Sequence, residues 1–185
     1  ESTGAVQTGT GGGEIVAVNA GTSTVVDTIR LAYSDKQDFE SQGRGIPNYL
    51  GASVISPDGT QAWVPSKQDN IARGTLRDGL NLNFQSTVRA ISSRVDLGPG
   101  GEDLAARIDH DNSTLASAVA FDPRGVYMFV ALETSREVAV IDAHGQWEIF
   151  RFDVGLAPQG LALSPHRSRL FVNTFMARPI SVFDQ

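Results

Sequence analysis

A nine-residue pattern occurs twice in this chain, and the spacing of the two copies limits the fold more than any other feature. Ser117-Ala118-Val119-Ala120-Phe121-Asp122-Pro123-Arg124-Gly125 returns as Gln159-Gly160-Leu161-Ala162-Leu163-Ser164-Pro165-His166-Arg167, about 42 residues on. After each comes an apolar run, Val126 to Val130 and Ser168 to Val172, and then a run ending in aspartate, Val138 to Asp142 and Ile180 to Asp184. Short apolar runs separated by Pro/Gly/Asp turns read as strands. A repeat of about 40–45 residues with this make-up is that of a four-stranded propeller blade.

Extending the pattern backwards divides the chain into blades at approximately 3–32, 50–97, 115–154 and 158–185. In the first, Ala5 to Thr8 and Glu14 to Asn19 match the second and third strands of the last unit, and Thr24 to Leu31 is the fourth. In the second, Leu50 to Ile55 leads into the turn Ser56-Pro57-Asp58-Gly59, and Gln61 to Val64 follows. An insertion at 65–85 separates these from Ser86 to Ile91 and Ser93 to Leu97, read as third and fourth strands, and 98–114 reads as a long loop. The expectation is an all-β β-propeller, an incomplete ring of about 3.5 to 4 four-stranded antiparallel blades. The opening Glu1 in place of Met suggests a piece of something longer. Its end blades should expose apolar faces, with Val16, Val18, Val26 and Ile29 at one end and Leu161, Leu163, Phe171 and Val182 at the other. Exposed patches of that size favour association, so self-association into a ring-like dimer is expected.

Phe171-Val172-Asn173-Thr174, its counterparts Phe129-Val130-Ala131 and Trp63-Val64-Pro65, the Ser56-Pro57-Asp58-Gly59 turn and the run ending at Asp142 together resemble the YVTN-type bacterial β-propeller repeat. The stretch from Pro57 to Asn70 is similar to propellers fused to c-type cytochrome or di-haem peroxidase-like modules. The resemblance implies an exported protein, periplasmic or extracellular, with a binding or scaffolding role. Without cysteine the chain has no Cys-x-x-Cys-His haem site, so haem would lie in a separate domain.

Successive strands reverse direction, so second-to-third loops and blade-to-blade loops fall on one face. The long segments 33–49, 65–85 and 98–114 are all of these kinds, and long loops are often functional. On that face Lys67, Asp69, Asn70, Arg73, Arg77 and Asp78, flanked by Tyr49 and Trp63, form the candidate partner-binding cluster. Arg73 and Arg77, four apart, would make a carboxylate clamp, and the plainer reading is a solvated loop with local ion pairs. Asp109 and Asp111, with Glu102, Asp103 and Asn112 nearby, offer oxygen ligands for Ca²⁺ without the spacing of an EF-hand, and turn-forming Asp and Asn are the simpler account. His110, His144 and His166 read as separate exposed turn residues. No nucleophile elbow, zinc-protease or phosphate-loop signature is present. A net charge of −6 argues against nucleic acid as a partner, and no apolar run is long enough to span a bilayer. The functional expectation is a non-catalytic module binding a protein partner or adjacent domain. The alternatives are the propeller part of a cytochrome-linked redox protein and a sugar- or small-ligand-binding enzyme with its site in the central channel.

Overall fold

A computed structural model describes residues 12–98, 100–164, 166, 169–176 and 180–184. Apart from one turn of helix, α1 (Phe84–Thr87), its regular structure is antiparallel sheet. The first sheet pairs β1 (Glu14–Asn19) with β2 (Thr24–Arg30). The second holds β3 (Ile46–Asn48), β4 (Val54–Ile55), β5 (Gln61–Asp69), β6 (Val88–Asp96) and β7 (Gly101–His110). The third runs β8 (Ala116–Phe121), β9 (Tyr127–Leu132), β10 (Glu137–Asp142), β11 (Trp147–Asp153), and the fourth β12 (Pro158–Leu163), β13 (Arg169–Thr174), β14 (Ile180–Asp184). The expected strand Ala5 to Thr8 lies outside the described residues.

The sheets stack face to face in chain order, with an apolar core between each pair. Ile29 and Leu31 pack on Ala62, Val64 and Val95. Trp63, Ala90 and Ile108 pack on Val119, Met128, Val130 and Ile141. Phe129, Val138 and Val140 pack on Leu170 and Val172. This stacking of antiparallel sheets, the second and third with central strands buried on both faces, is an incomplete β-propeller.

The repeat in the sequence corresponds to a latch in each first turn. The Asp122 carboxylate, almost fully buried, accepts the N–H groups of Val126 at 2.6 Å and Tyr127 at 2.8 Å. Gly125 sits at φ 70°, the left-handed region that glycine enters without steric cost. In the equivalent turns the Ser56 and Ser164 hydroxyls accept from Gln61 and Arg169, each at 3.1 Å.

The second sheet departs from the sequence-based expectation. Ser92, read as the break between two strands, is fully buried, like Ser93 beside it, inside the single continuous strand β6. The segment 98–114, read as a loop, is mostly β7, the fourth strand, so the sheet runs on to His110. The 65–85 insertion is shorter than expected, since β5 continues to Asp69 and α1 begins at Phe84. The innermost strand, expected over 50–55, is split into β3 and β4. Pro65 lies opposite the gap: its carbonyl accepts from Gly51 at 2.7 Å, and it has no N–H to offer a neighbour there.

At the ends, Val16, Val18, Val26 and Val182 are about half exposed or more, as expected. Ile29 instead packs inward on the second sheet, and Leu161 and Leu163 pack against the third. Strand alternation explains the error, because neighbouring residues of one strand face opposite ways.

Candidate partner-binding face

Among the described residues, no strand covers the half of the second sheet that turns toward the first. Along β5, Ala62 and Val64 meet β2, but Ser66 and Gln68 continue on the same face, with Arg89, Ile91, Ser93, Arg107 and Asp109 from β6 and β7 beside them. The segment 32–45 lies across this polar layer as a strap, and its backbone supplies the hydrogen bonds a strand would otherwise provide. Arg107 pairs with Glu102 at 2.5 Å, their side chains 4% and 2% exposed. The same guanidinium donates to Gln68 Oε1 and to the Ala32 carbonyl, both at 2.7 Å, while Glu102 Oε2 accepts the Ala32 N–H at 2.5 Å. Arg89 meets both oxygens of Asp109 at 3.0 Å and also donates to the Phe39 and Glu40 carbonyls. Gln68 and Ser34 both donate to the Gly43 carbonyl at 2.9 Å. A β-carbon on Gly43 would lie 2.4 Å from Arg89 Nε, so strap and sheet are in tight contact. Only about 20 Å³ of space remains between Ser34, Lys36, Gly43, Gln68, Arg107 and Asp109. This layer holds the strap in place, and no substrate-sized site opens into it.

Burial shifts two titrations here in opposite senses. It pushes the Asp109 carboxyl up to about 6, against the pull of Arg89. It drives His110 down to about 3, with Arg151 adding to the shift. His110 is therefore a core residue of β7, not an exposed turn, and its Nε2 meets the Ser92 hydroxyl at 2.9 Å. Both side chains are sealed from solvent, so this serine and histidine have no access to a substrate.

Beside the strap, residues 70–84 project as a loop with defined anchors. Asp38 on the strap receives Arg73 Nη1 at 3.1 Å and Asn70 Nδ2 at 3.3 Å. Asp78 closes the turn by accepting the Gly74 and Leu80 N–H groups, each at 3.0 Å. Asn83 caps α1 reciprocally with Ser86. Between these anchors the loop displays Ile71, Leu76, Leu80 and Leu82, and Phe84 follows at the start of α1, all exposed, with Leu76 at 99%.

The expected cluster is only partly assembled. Lys67 pairs with Asp69 at 3.1 Å, and Asp69 also accepts Asn48 Nδ2 at 2.6 Å. Tyr49 is 71% exposed and sits at φ 52°. Trp63, expected to flank the cluster, is instead 1% exposed in the core against the third sheet. Arg73 is engaged by Asp38, and Arg77 is exposed on the turn after it. Asp109 is committed to Arg89, and Asp111 accepts from Asn112. Among the described residues no group of three or more His, Asp or Glu is arranged to hold a metal ion. The exposed leucines were the missed signal. Leu76, Leu80 and Leu82 stand in a polar, glycine-containing loop where no strand or helix periodicity accounts for them.

Neither a protein-family model nor a curated protein sequence matches the chain. Among solved structures, the fold is similar to hydrazine synthase of Kuenenia stuttgartiensis, with 13% identity and a TM-score of 0.62 over 93% of this chain. The chain spans 65% of the length of that one. It is also similar to a putative 6-phosphogluconolactonase from Bacteroides fragilis, at 14% identity and a TM-score of 0.47, covering 93% of this chain and 60% of the other. A further putative 6-phosphogluconolactonase, from Bacteroides uniformis, gives 10% identity and a TM-score of 0.47 over 92% and 73%. At such identities the likeness is one of fold, and it places the chain among propeller-type structures.

Proposed function

We propose that the chain is a non-catalytic interaction module that binds a protein partner, or an adjacent domain, through the face formed by the strap 32–45 and the loop 70–84. One observation carries this reading: four large apolar side chains are held out to solvent on a loop anchored by Asp38, Asp78 and Asn83, with exposed Phe84 beside them at the start of α1. Apolar groups held exposed by a built anchor mark interaction surfaces. Arg77 adds a cation beside Leu76 and suits a partner with a carboxylate next to an apolar pocket. The periplasmic or extracellular setting belongs to the proposal through the YVTN resemblance. The likeness to hydrazine synthase is one of shape, so it lends the haem-domain reading no chemistry of its own.

A photo-crosslinking residue at position 76 should give one discrete adduct in the producing cell, and the same residue at Thr60, on the opposite face, should not. Arg77→Glu should remove the adduct while leaving the melting temperature unchanged. Equal labelling from both positions would exclude this face.

A further inference from the structure

At the end of the sheets that carries only tight turns, a cleft of about 280 Å³ opens between the second and third sheets. The turns at 56–58 and 124–125 and the hairpin at 143–146 wall it, with Gln61 of β5 and Arg94 of β6 at its side. The fold does not use up the polar groups that line it. Gln61 Oε1 accepts from Trp63 Nε1 at 3.4 Å, while its amide nitrogen has no acceptor among the described residues. Arg94 is held on two sides, Nη2 by Asp103 at 2.5 Å and Nε beside Asp96 at 3.2 Å, and its Nη1 has no acceptor there. Arg124, His144 and Gln146 bond to the fold through their backbone N–H groups, and among the described residues their side chains have no partner. Asp58 accepts from Ser56 Oγ at 2.6 Å and Thr60 Oγ1 at 2.9 Å. Pro57 and Phe121 supply the apolar side.

The polar layer under the strap is built from the same side-chain types, but there Arg89, Arg107, Gln68 and Asp109 satisfy one another and leave about 20 Å³. We propose that the cleft at the turns is a binding site for a neutral polyhydroxylated ligand of monosaccharide size. Charge argues for neutrality: Arg94 and Arg124 are offset by Asp58 in the lining and by Asp96 and Asp103 on Arg94, so neither an anion nor a cation is favoured. A hydroxyl both donates and accepts, and the lining offers both, with guanidinium and amide N–H groups to donate and the Gln146 and Asp58 oxygens to accept. The C–H face of a sugar ring suits Pro57 and Phe121, as expected of a small-molecule cleft with an apolar side and a few convergent polar groups.

The probes are D-glucose, D-galactose, D-mannose and N-acetyl-D-glucosamine, titrated into isotopically labelled protein, with glycerol and sodium benzoate as controls. At least one sugar should give saturable shifts in the amide signals of Gln61, Arg124, His144 and Gln146, with residues 70–84 unmoved. Arg124→Ala should weaken that sugar about tenfold, as expected for loss of a charged hydrogen-bond donor. Arg124 is exposed, so the variant should fold. Arg30→Ala, on the first sheet, should have no effect. Failure of all four sugars to saturate would overturn the proposal, as would equal shifts with glycerol or indifference to Arg124→Ala. Saturable binding of benzoate at the same signals would overturn it too, by making an anion the occupant.

Discussion

The second and third sheets share one strand order and differ in what fills them. The third is apolar throughout its middle strands, with Met128, Val130, Leu132, Val138 and Ile141 fully buried and tight turns joining them. The second buries Arg107, Glu102, Arg89, Asp109 and Gln68 at the same depth and needs a strap of irregular backbone to satisfy them. Apolar burial is non-directional and tolerant, whereas a buried charge is stable only while each of its partners stays in place. The third sheet therefore acts as the rigid frame. The second couples its own integrity to the position of the strap, and through Asp38 to the loop at the candidate binding face.

The largest expected effect tests that coupling. Glu102→Ala leaves the buried Arg107 guanidinium without its carboxylate and should cost about 3–5 kcal/mol in urea unfolding. Arg107→Ala should cost a similar amount, and the double variant much less than the sum, because the pair acts as one unit. Leu132→Ala in the third sheet should cost about 2–5 kcal/mol, and should add to either charge variant within error. If the Glu102 and Arg107 effects proved additive, the two sheets would not differ in the way described.

The same contrast decides what could be read from the sequence. The repeat around Asp122 and Ser164 was legible because an apolar run, a turn latch and a second apolar run are local and fixed in order. β7 was not legible, because Glu102, Asp103, Arg107, Asp109 and His110 have the composition of a loop. They form a strand because partners up to 75 residues away satisfy them, as Ala32 does for Arg107. Ser92 misled for the same reason, since a serine between two apolar runs suggests a break unless its burial is known. In the candidate site, the position of the 70–84 loop was legible from its length. Trp63 was misplaced because the sequence around it does not say which face of β5 it occupies, and the anchoring of Arg73 by Asp38 depends on a contact across 35 residues.

A smaller, pH-dependent effect separates the two faces of β7. Asp109 titrates higher in the fold than when unfolded, so its contribution is fully present below about pH 4 and is lost as pH rises through about 6. His110 titrates lower, so its contribution is present above about pH 6.5 and is lost as pH falls toward about 3. Between about pH 4 and 6 the two slopes oppose, and the stability of the native protein should be nearly flat. Asp109→Asn should uncover the histidine slope, stability rising with pH by up to about 1.4 kcal/mol per unit. His110→Gln should uncover the opposite slope. Urea titrations at half-unit intervals would show it, and a steep slope in the native protein would mean that one of the two groups is solvated.

The smallest effect distinguishes the strap from the loop it holds. Arg73→Ala removes one donor from Asp38, but Asn70 Nδ2 at 3.3 Å and the Arg44 N–H at 2.9 Å remain. The cost to global stability should be about 1 kcal/mol or less, as for other partly exposed pairs. Hydrogen exchange should register it more clearly, as faster exchange confined to residues 70–83 with β5 and β6 unchanged, because local opening need not involve the core. Were the strands to exchange faster as well, the loop would be part of the second sheet's cooperative unit, and the partner-binding face would be as rigid as the frame beneath it.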